Sequence, residues 1–234
     1  MKDLSQLRGI GLSVLQAVGQ ARLPRQNVCG DPVQRLRLNA KSAKNFALCL
    51  HVMPNLETLD LSGIKIKVDG AQALAAAFPS LRQLEKLILS GNALLRIGAK
   101  AIARSLPSLP QLKELDFQYN DIRKDGAKAI AASLPNLQQL TVLSLGPTSG
   151  ALGGASMPNS IGNKGAIAIA TGLRSLQQLT VLNLSPNDIG NKGAEAISES
   201  LQSFRMLRLD SRMSRPGNLV TNVTTIQIFP KQSP

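Results

Sequence analysis

The sequence predicts an α/β solenoid, with parallel strands on a concave face and helices on a convex one. Three observations carry this. The pattern L-x-x-L-x-L recurs along most of the chain, and a Gly-Ala pair with an alanine-rich segment follows each clear copy. The 234 residues are 43% hydrophobic with no Trp, one Tyr and five Phe, so the interior is aliphatic and the chain long enough to bury it.

Internal repetition decides the fold. The pattern is clear at Leu56-Leu59-Leu61, Leu84-Leu87-Leu89, Leu112-Leu115-Phe117, Leu140-Leu143-Leu145 and Leu179-Leu182-Leu184. A weaker copy, Val33-Leu36-Leu38, precedes these, and Phe204-Leu207-Leu209 follows. The middle leucines step by 23, 28, 28, 28, 39 and 25 residues.

Within each copy, the L-x-L alternation reads as a short strand with one face buried. An Asn at 92, 120 and 187 stands three residues beyond its last apolar position, suited to bonding backbone groups where the chain turns inward. The pairs Gly70-Ala71, Gly98-Ala99, Gly126-Ala127, Gly165-Ala166 and Gly193-Ala194 are expected to open the helices. Pro79, Pro107 and Pro135 mark the stops of three of them. Strands pack at about 4.8 Å and helices at about 10 Å, so such a stack curves with its strands inside.

LxxLxLxxN followed by GAxAIAxxL at 28-residue spacing resembles the leucine-rich repeats of ribonuclease-inhibitor type, over roughly residues 33–209. The resemblance implies a leucine-rich-repeat solenoid, or horseshoe, and a non-catalytic binder that covers a partner protein, such as an enzyme at its active site. Helix-forming repeats of this kind also resemble the effectors that intracellular bacteria inject into host cells.

The ends read as covers for the terminal repeats. Residues 1–32, with Leu4, Leu7, Val14, Leu15 and Val18 at helical spacing, are expected to form an N-terminal helical cap. Repeats occupy 33–203, and a strand-rich C-terminal cap, including Ile226 and Ile228, is expected over 204–234.

The late repeat is an insertion. Asn120 to Asn159 spans 39 residues and Asn159 to Asn187 spans 28 again, so the surplus lies between Leu145 and Asn159, at about 147–157. Residues 142–163 carry no charge. Lengthening a turn this much costs about 1 kcal/mol in closure entropy, so drift alone can account for it. Alternatively Leu152 and Met157 fold over a bound partner, since long loops on rigid scaffolds often carry recognition.

Catalytic and ligand motifs are missing. The Gly-rich stretch has neither G-x-x-x-x-G-K-[ST] nor G-x-G-x-x-G, which phosphate cradling needs. A single His, His51, with Cys29 and Cys49 cannot furnish a four-ligand zinc site or a catalytic triad, and Cys49 sits in an apolar run. No enzyme, cofactor, metal or small-molecule site is read. No apolar run is long enough to span a bilayer. Two cysteines form no disulfide framework, which with the absence of a signal peptide suggests a cytoplasmic protein; the effector resemblance extends this to delivery into a host cell.

What is left is surface. The 27 basic residues outnumber 14 acidic ones, and 13 bases but only three acids fall in residues 1–50 and 201–234. Residues flanking each middle leucine point to the concave face. Partner-binding residues are therefore expected among Arg35, Arg37, Asp60, Lys86, Ile88, Glu114, Asp116, Val142, Ser144, Val181, Asn183 and Arg208, with Gln118, Tyr119, Leu152 and Met157 beside them. Charge mixed with apolar and aromatic anchors suits a protein partner of acidic or mixed charge. A nucleic-acid track would be uniformly basic, and Glu114 and Asp116 interrupt it. The alternative is a nucleic-acid or anionic-membrane binder that uses the basic ends.

Overall fold

A computed structural model describes residues 35–36, 47, 50–146, 158–184, 187–201, 206–209 and 226–229. Six parallel strands follow one another in sheet order: β1 Arg35–Leu36, β2 Thr58–Asp60, β3 Lys86–Ile88, β4 Glu114–Asp116, β5 Val142–Ser144 and β6 Val181–Asn183. Five helices alternate with them from β2 onward: α1 Lys67–Ala77, α2 Leu95–Ser105, α3 Arg123–Ser133, α4 Gly162–Leu173 and α5 Asn191–Leu201. Each helix packs on the next, and the leucines of β2 to β6 stand between the two layers with essentially no exposure. The molecule is thus an α/β leucine-rich-repeat solenoid, with its strand row on the tightly spaced inner side.

The strands have two or three residues each, too few to fix a register through their own ladder. Asparagines at the strand exits do it. Asn92 Nδ2 donates to Leu61 O and Leu89 O, both at 2.8 Å, and Asn120 Nδ2 donates to Leu89 O and Phe117 O at 2.9 and 3.0 Å. Asn159 donates to Phe117 O and Leu145 O, and Asn187 to Leu145 O and Leu184 O. Each amide therefore bonds the last carbonyl of its own strand and of the preceding one. On the other side, Asn120 Oδ1 accepts the Asn92 N–H at 2.9 Å, and Asn159 Oδ1 accepts that of Asn120 at 2.9 Å. These side chains are at most 3% exposed, so the ladder satisfies groups that would otherwise be stranded in the core.

The turns around the ladder stack too, with Lys67, Leu95, Arg123 and Gly162 donating backbone N–H groups to the carbonyl oxygens of Asn92, Asn120, Asn159 and Asn187. That stacking demands left-handed backbone at residues before and after the Asn: Gly91 and Tyr119 before it, Ala93, Asp121, Ser160 and Asp188 after it.

Two features differ from the sequence reading. The helices begin two or three residues before the Gly-Ala pairs, because those glycines are contact points inside the helix. A Cβ on Gly126 would lie 3.0 Å from Ala99 Cβ, and one on Gly165 3.1 Å from Ala127 Cβ, so glycine lets each helix approach the alanine of the one before. The prolines act as expected, each at the second position of a single 3₁₀ turn that ends α1, α2 and α3.

The last copy of the pattern, Phe204-Leu207-Leu209, does not stack directly on β6. β8 (Ile226–Phe229) lies between β6 and β7 (Met206–Leu209), antiparallel to both. A parallel neighbour of β7 needs a crossover, usually helical, and the stretch 210–225 between β7 and β8 has no helix pattern to supply one, so β8 returns antiparallel to β7. The expected cap at 1–32 and the insertion at 147–157 lie outside the described residues.

The stem of the insertion is described. Asn159 Nδ2 reaches Leu145 O at 2.6 Å across 14 residues, whereas Asn92 reaches Leu89 O across three, a surplus of 11. The ladder thus passes unbroken under the inserted residues.

Two outcomes follow for stability. Asn120→Ala strands buried partners of its amide and is expected to destabilise the fold by roughly 2–4 kcal/mol in denaturant melts, against less than about 0.5 kcal/mol for an exposed control such as Gln138→Ala. Deleting 147–157 restores the Leu-x-x-Asn spacing but puts Pro158 where Gly91 has φ +70° and Tyr119 +53°, which a proline ring cannot adopt. The deletion combined with Pro158→Gly is expected to melt within a few degrees of wild type, and the deletion that keeps Pro158 well below it.

Candidate functional site

Strand register sorts the inner face into rows. One row runs Thr58, Lys86, Glu114, Val142, Val181, and the next runs Asp60, Ile88, Asp116, Ser144, Asn183. Neighbours within a row are one strand apart, about 4.8 Å. Because the repeats are in phase, residues 28 apart in sequence become side-by-side partners.

In the first row this pairing forms an ion pair, Lys86 Nζ to Glu114 at 3.0 Å, with both side chains partly exposed. Val142 and Val181 follow directly, half-buried and opposite each other. The row thus passes from charge to a small aliphatic surface within a few strand spacings.

The second row is more enclosed than a solvated strand face. Asp60 is 9% exposed, Ser144 5% and Asn183 3%, and Gln118, just beyond this row, is 6% exposed. The enclosure comes from close strand spacing and from bonds that fold the side chains onto the sheet. Gln118 N–H donates to Asp116 Oδ1 at 2.8 Å and its Nε2 to Oδ2 at 3.3 Å. The Ser62 N–H and hydroxyl both donate to Asp60, and Asn183 Nδ2 donates to Ser144 Oγ at 2.9 Å. Asp60, Gln118, Ser144 and Asn183 therefore shape the floor, while Lys86, Ile88, Glu114, Asp116, Val142 and Val181 keep partial exposure.

Asp116 is the electrostatic outlier. Burial pushes its carboxyl up from 3.8 to about 7, opposed by the Gln118 N–H and reinforced by the negative charges of Glu114 and Asp60. Beside the enclosed floor stands a carboxyl held well above the usual carboxylate range, at about 7.

Tyr119 holds φ +53° at the position where Gly63 and Gly91 have +70°. An aromatic residue is a costly choice at a backbone conformation that glycine adopts freely. It stands half-buried at the exit of β4, one residue from Gln118. Sequence spacing located Tyr119 but gave no sign of this strained backbone.

Of the remaining expected residues, Arg35 lies in β1, whose Cα partner is Thr58, and Arg208 lies in β7. With β8 inserted, Arg208 is separated from Asn183 by a strand. Arg37, Leu152 and Met157 lie outside the described residues. His51 is exposed and pairs its Nδ1 with Ser80 Oγ at 2.7 Å, and no metal-binding group of side chains occurs among the described residues. No described helix is long and apolar enough to cross a membrane.

One comparison with known proteins agrees with the repeat reading. A family model described as Leucine Rich repeat matches residues 52–75, 109–131 and 175–198, which take in β2, β4 and β6 with most of α1, α3 and α5. Leucine-rich repeats are therefore present. Among solved structures, the chain is similar to leiomodin-1 actin-binding site 2, with 17% identity and a TM-score of 0.46 over 70% of this chain and 88% of that one. No curated protein matches the sequence.

The raised Asp116 pKa has a checkable sign. A carboxyl that titrates higher when folded stabilises the fold below its unfolded pKa, and that contribution is lost as pH rises from about 4 through about 7. Asp116→Asn is therefore expected to melt with wild type near pH 4 and several degrees above it at pH 8, an effect on the order of a few kcal/mol. Equal melting at both pH values would show that Asp116 titrates normally.

Proposed function

We propose that this chain is a non-catalytic binding module whose concave face covers another protein and so inhibits or regulates it. The observation that carries the reading is the in-register row Lys86, Glu114, Val142, Val181, which presents an ion pair beside paired aliphatic side chains on a rigid sheet. Interfaces of this size draw their energy from such apolar anchors and their orientation from adjacent charges.

The partner's chemistry follows from the face. Asp60, Glu114 and Asp116 against Lys86 make strands β2–β6 net acidic, which suits a basic or mixed-charge element there. Contact with an acidic element belongs to the first strand, where Arg35 and Arg37 lie in the sequence. A mixed-charge protein surface fits both. The likeness of the repeat pattern to inhibitor-type repeats supports the inhibitory role, and injection into a host cell is a further possibility that the effector resemblance raises. The Gly-rich insertion, which follows the strand of Val142 in the chain, would serve as a clamp with Leu152 and Met157 as its contacts.

The test compares affinity capture with mass spectrometry at about 150 mM salt, where exposed charge attraction beyond ~8 Å is screened. Glu114→Arg combined with Val142→Glu is expected to lose the wild-type partner more than tenfold while its far-UV circular dichroism stays unchanged. Undiminished capture by that variant would remove the concave face from the account. Capture that collapses between about 50 and 200 mM salt would instead indicate polyanion binding through the basic ends.

A further inference from the structure

Strands β2–β6 carry more acid than base on the inner face, so most of the chain's positive charge lies elsewhere. Part of it is concentrated on the outer face. Helices α2 and α3 sit side by side in the same register, which places Arg96 beside Lys124 and Lys100 beside Lys128, with Arg104 a further turn along α2. Within a helix these positions are four residues apart, about 6 Å along the axis, and the two axes are about 10 Å apart. On α4 the outward Lys164 extends the group. Among the described residues none of these six cations has an ion-pair partner, and one acid, Asp125, lies among them. The corresponding outward positions of α1 are Val68, Gln72 and Ala76, and α5 adds Lys192 at the position of Lys164 but then Glu195 and Glu199, so the cations are densest over α2–α4.

The apolar side chains of this face are as telling as the charges. The exposed large hydrophobic residues of the described chain are Leu95 at 42%, Ile97 at 48% and Ile167 at 43%, and all three are on α2 and α4, the helices that flank Lys124 and Lys128. Ile97 stands at the position that Asp69 and Asp125 hold on the adjacent helices, and Ile167 at that of Lys100 and Lys128.

We propose that the convex face over α2–α4 is a docking surface for an anionic lipid bilayer, with the cations on the phosphates and Ile97 and Ile167 entering the interface between them. Charge complementarity selects a polyanion. The branched aliphatic side chains select lipid over nucleic acid, since base stacking needs aromatic rings and the described outward helix positions carry none. This surface is on the opposite side of the molecule from the concave face, so a membrane-held solenoid would keep its strands free for a partner.

The test is flotation of the full chain with vesicles of phosphatidylcholine alone and with about 30% phosphatidylserine, at about 100 mM salt. Wild type is expected to float with the anionic vesicles roughly tenfold more than with the neutral ones. Arg96→Glu with Lys124→Glu is expected to reduce that binding tenfold or more, and the milder Lys100→Gln with Lys128→Gln severalfold, each with unchanged circular dichroism. Ile97→Ser with Ile167→Ser is expected to weaken vesicle binding while leaving capture of the concave-face partner intact. The proposal is overturned if the charge variants float like wild type, which would assign binding to the chain ends. It is equally overturned if wild type ignores anionic vesicles, whether or not an oligonucleotide or acidic peptide is held by the same cations.

Discussion

The buried asparagine at the exit of each strand from β3 to β6 is the constraint on which the rest of this solenoid depends. Strands of three residues offer few hydrogen bonds, and the turns that follow them expose carbonyls to an aliphatic core. One amide per repeat closes both gaps by bonding the last carbonyl of two successive strands, as Asn120 does with Leu89 and Phe117. Losing such a bond leaves a buried acceptor unpaired, which costs more than the bond itself contributes. Everything that requires phase inherits from this ladder: the glycine-to-alanine contacts of the helices, the rows of the concave face and the alignment of cations on the convex face.

Phase also explains how the chain accommodates its insertion. The ladder crosses from Asn120 to Asn159 with the same geometry as from Asn92 to Asn120, so the strand and helix layers keep their phase across the insertion. Val142 and Val181 remain opposite each other although 39 residues separate them, and the loop springs from the exit of the strand that carries Val142. A recognition element can be added at such a point without disturbing the scaffold. The two faces then differ in chemistry: carboxyls and aliphatic side chains inside, cations and isolated isoleucines outside.

Much of this was legible in the sequence because a repeat writes the same structural instruction several times. The 28-residue period located the strands, Asn159 located the end of the insertion, and the residues flanking each middle leucine named the concave rows. Other features depend on distances that periodicity does not encode. The Gly-Ala pairs looked like helix starts, although their role is to bring helix backbones together, which becomes visible only when Ala99 is found against Gly126. The enclosure of Ser144 and Asn183 arises from neighbours across strands, and the Asp116 carboxyl responds to burial that a strand pattern cannot measure. The antiparallel entry of Ile226–Phe229 beside β6 breaks the translational rule itself. The Lys86–Glu114 pair and the Arg96, Lys124 alignment could have been found earlier by comparing residues 28 apart.

The most direct measurement of the central claim is native-state hydrogen exchange at the backbone amides of Asn92 and Asn120. Both donate to the side chain of the next asparagine, but the acceptor of Asn120 lies across the insertion. A ladder that runs unbroken through the array predicts that the two amides exchange at similarly slow rates, close to those of the central strands. Exchange at Asn120 that is orders of magnitude faster than at Asn92 would show that the solenoid is interrupted at the insertion, and would contradict the account.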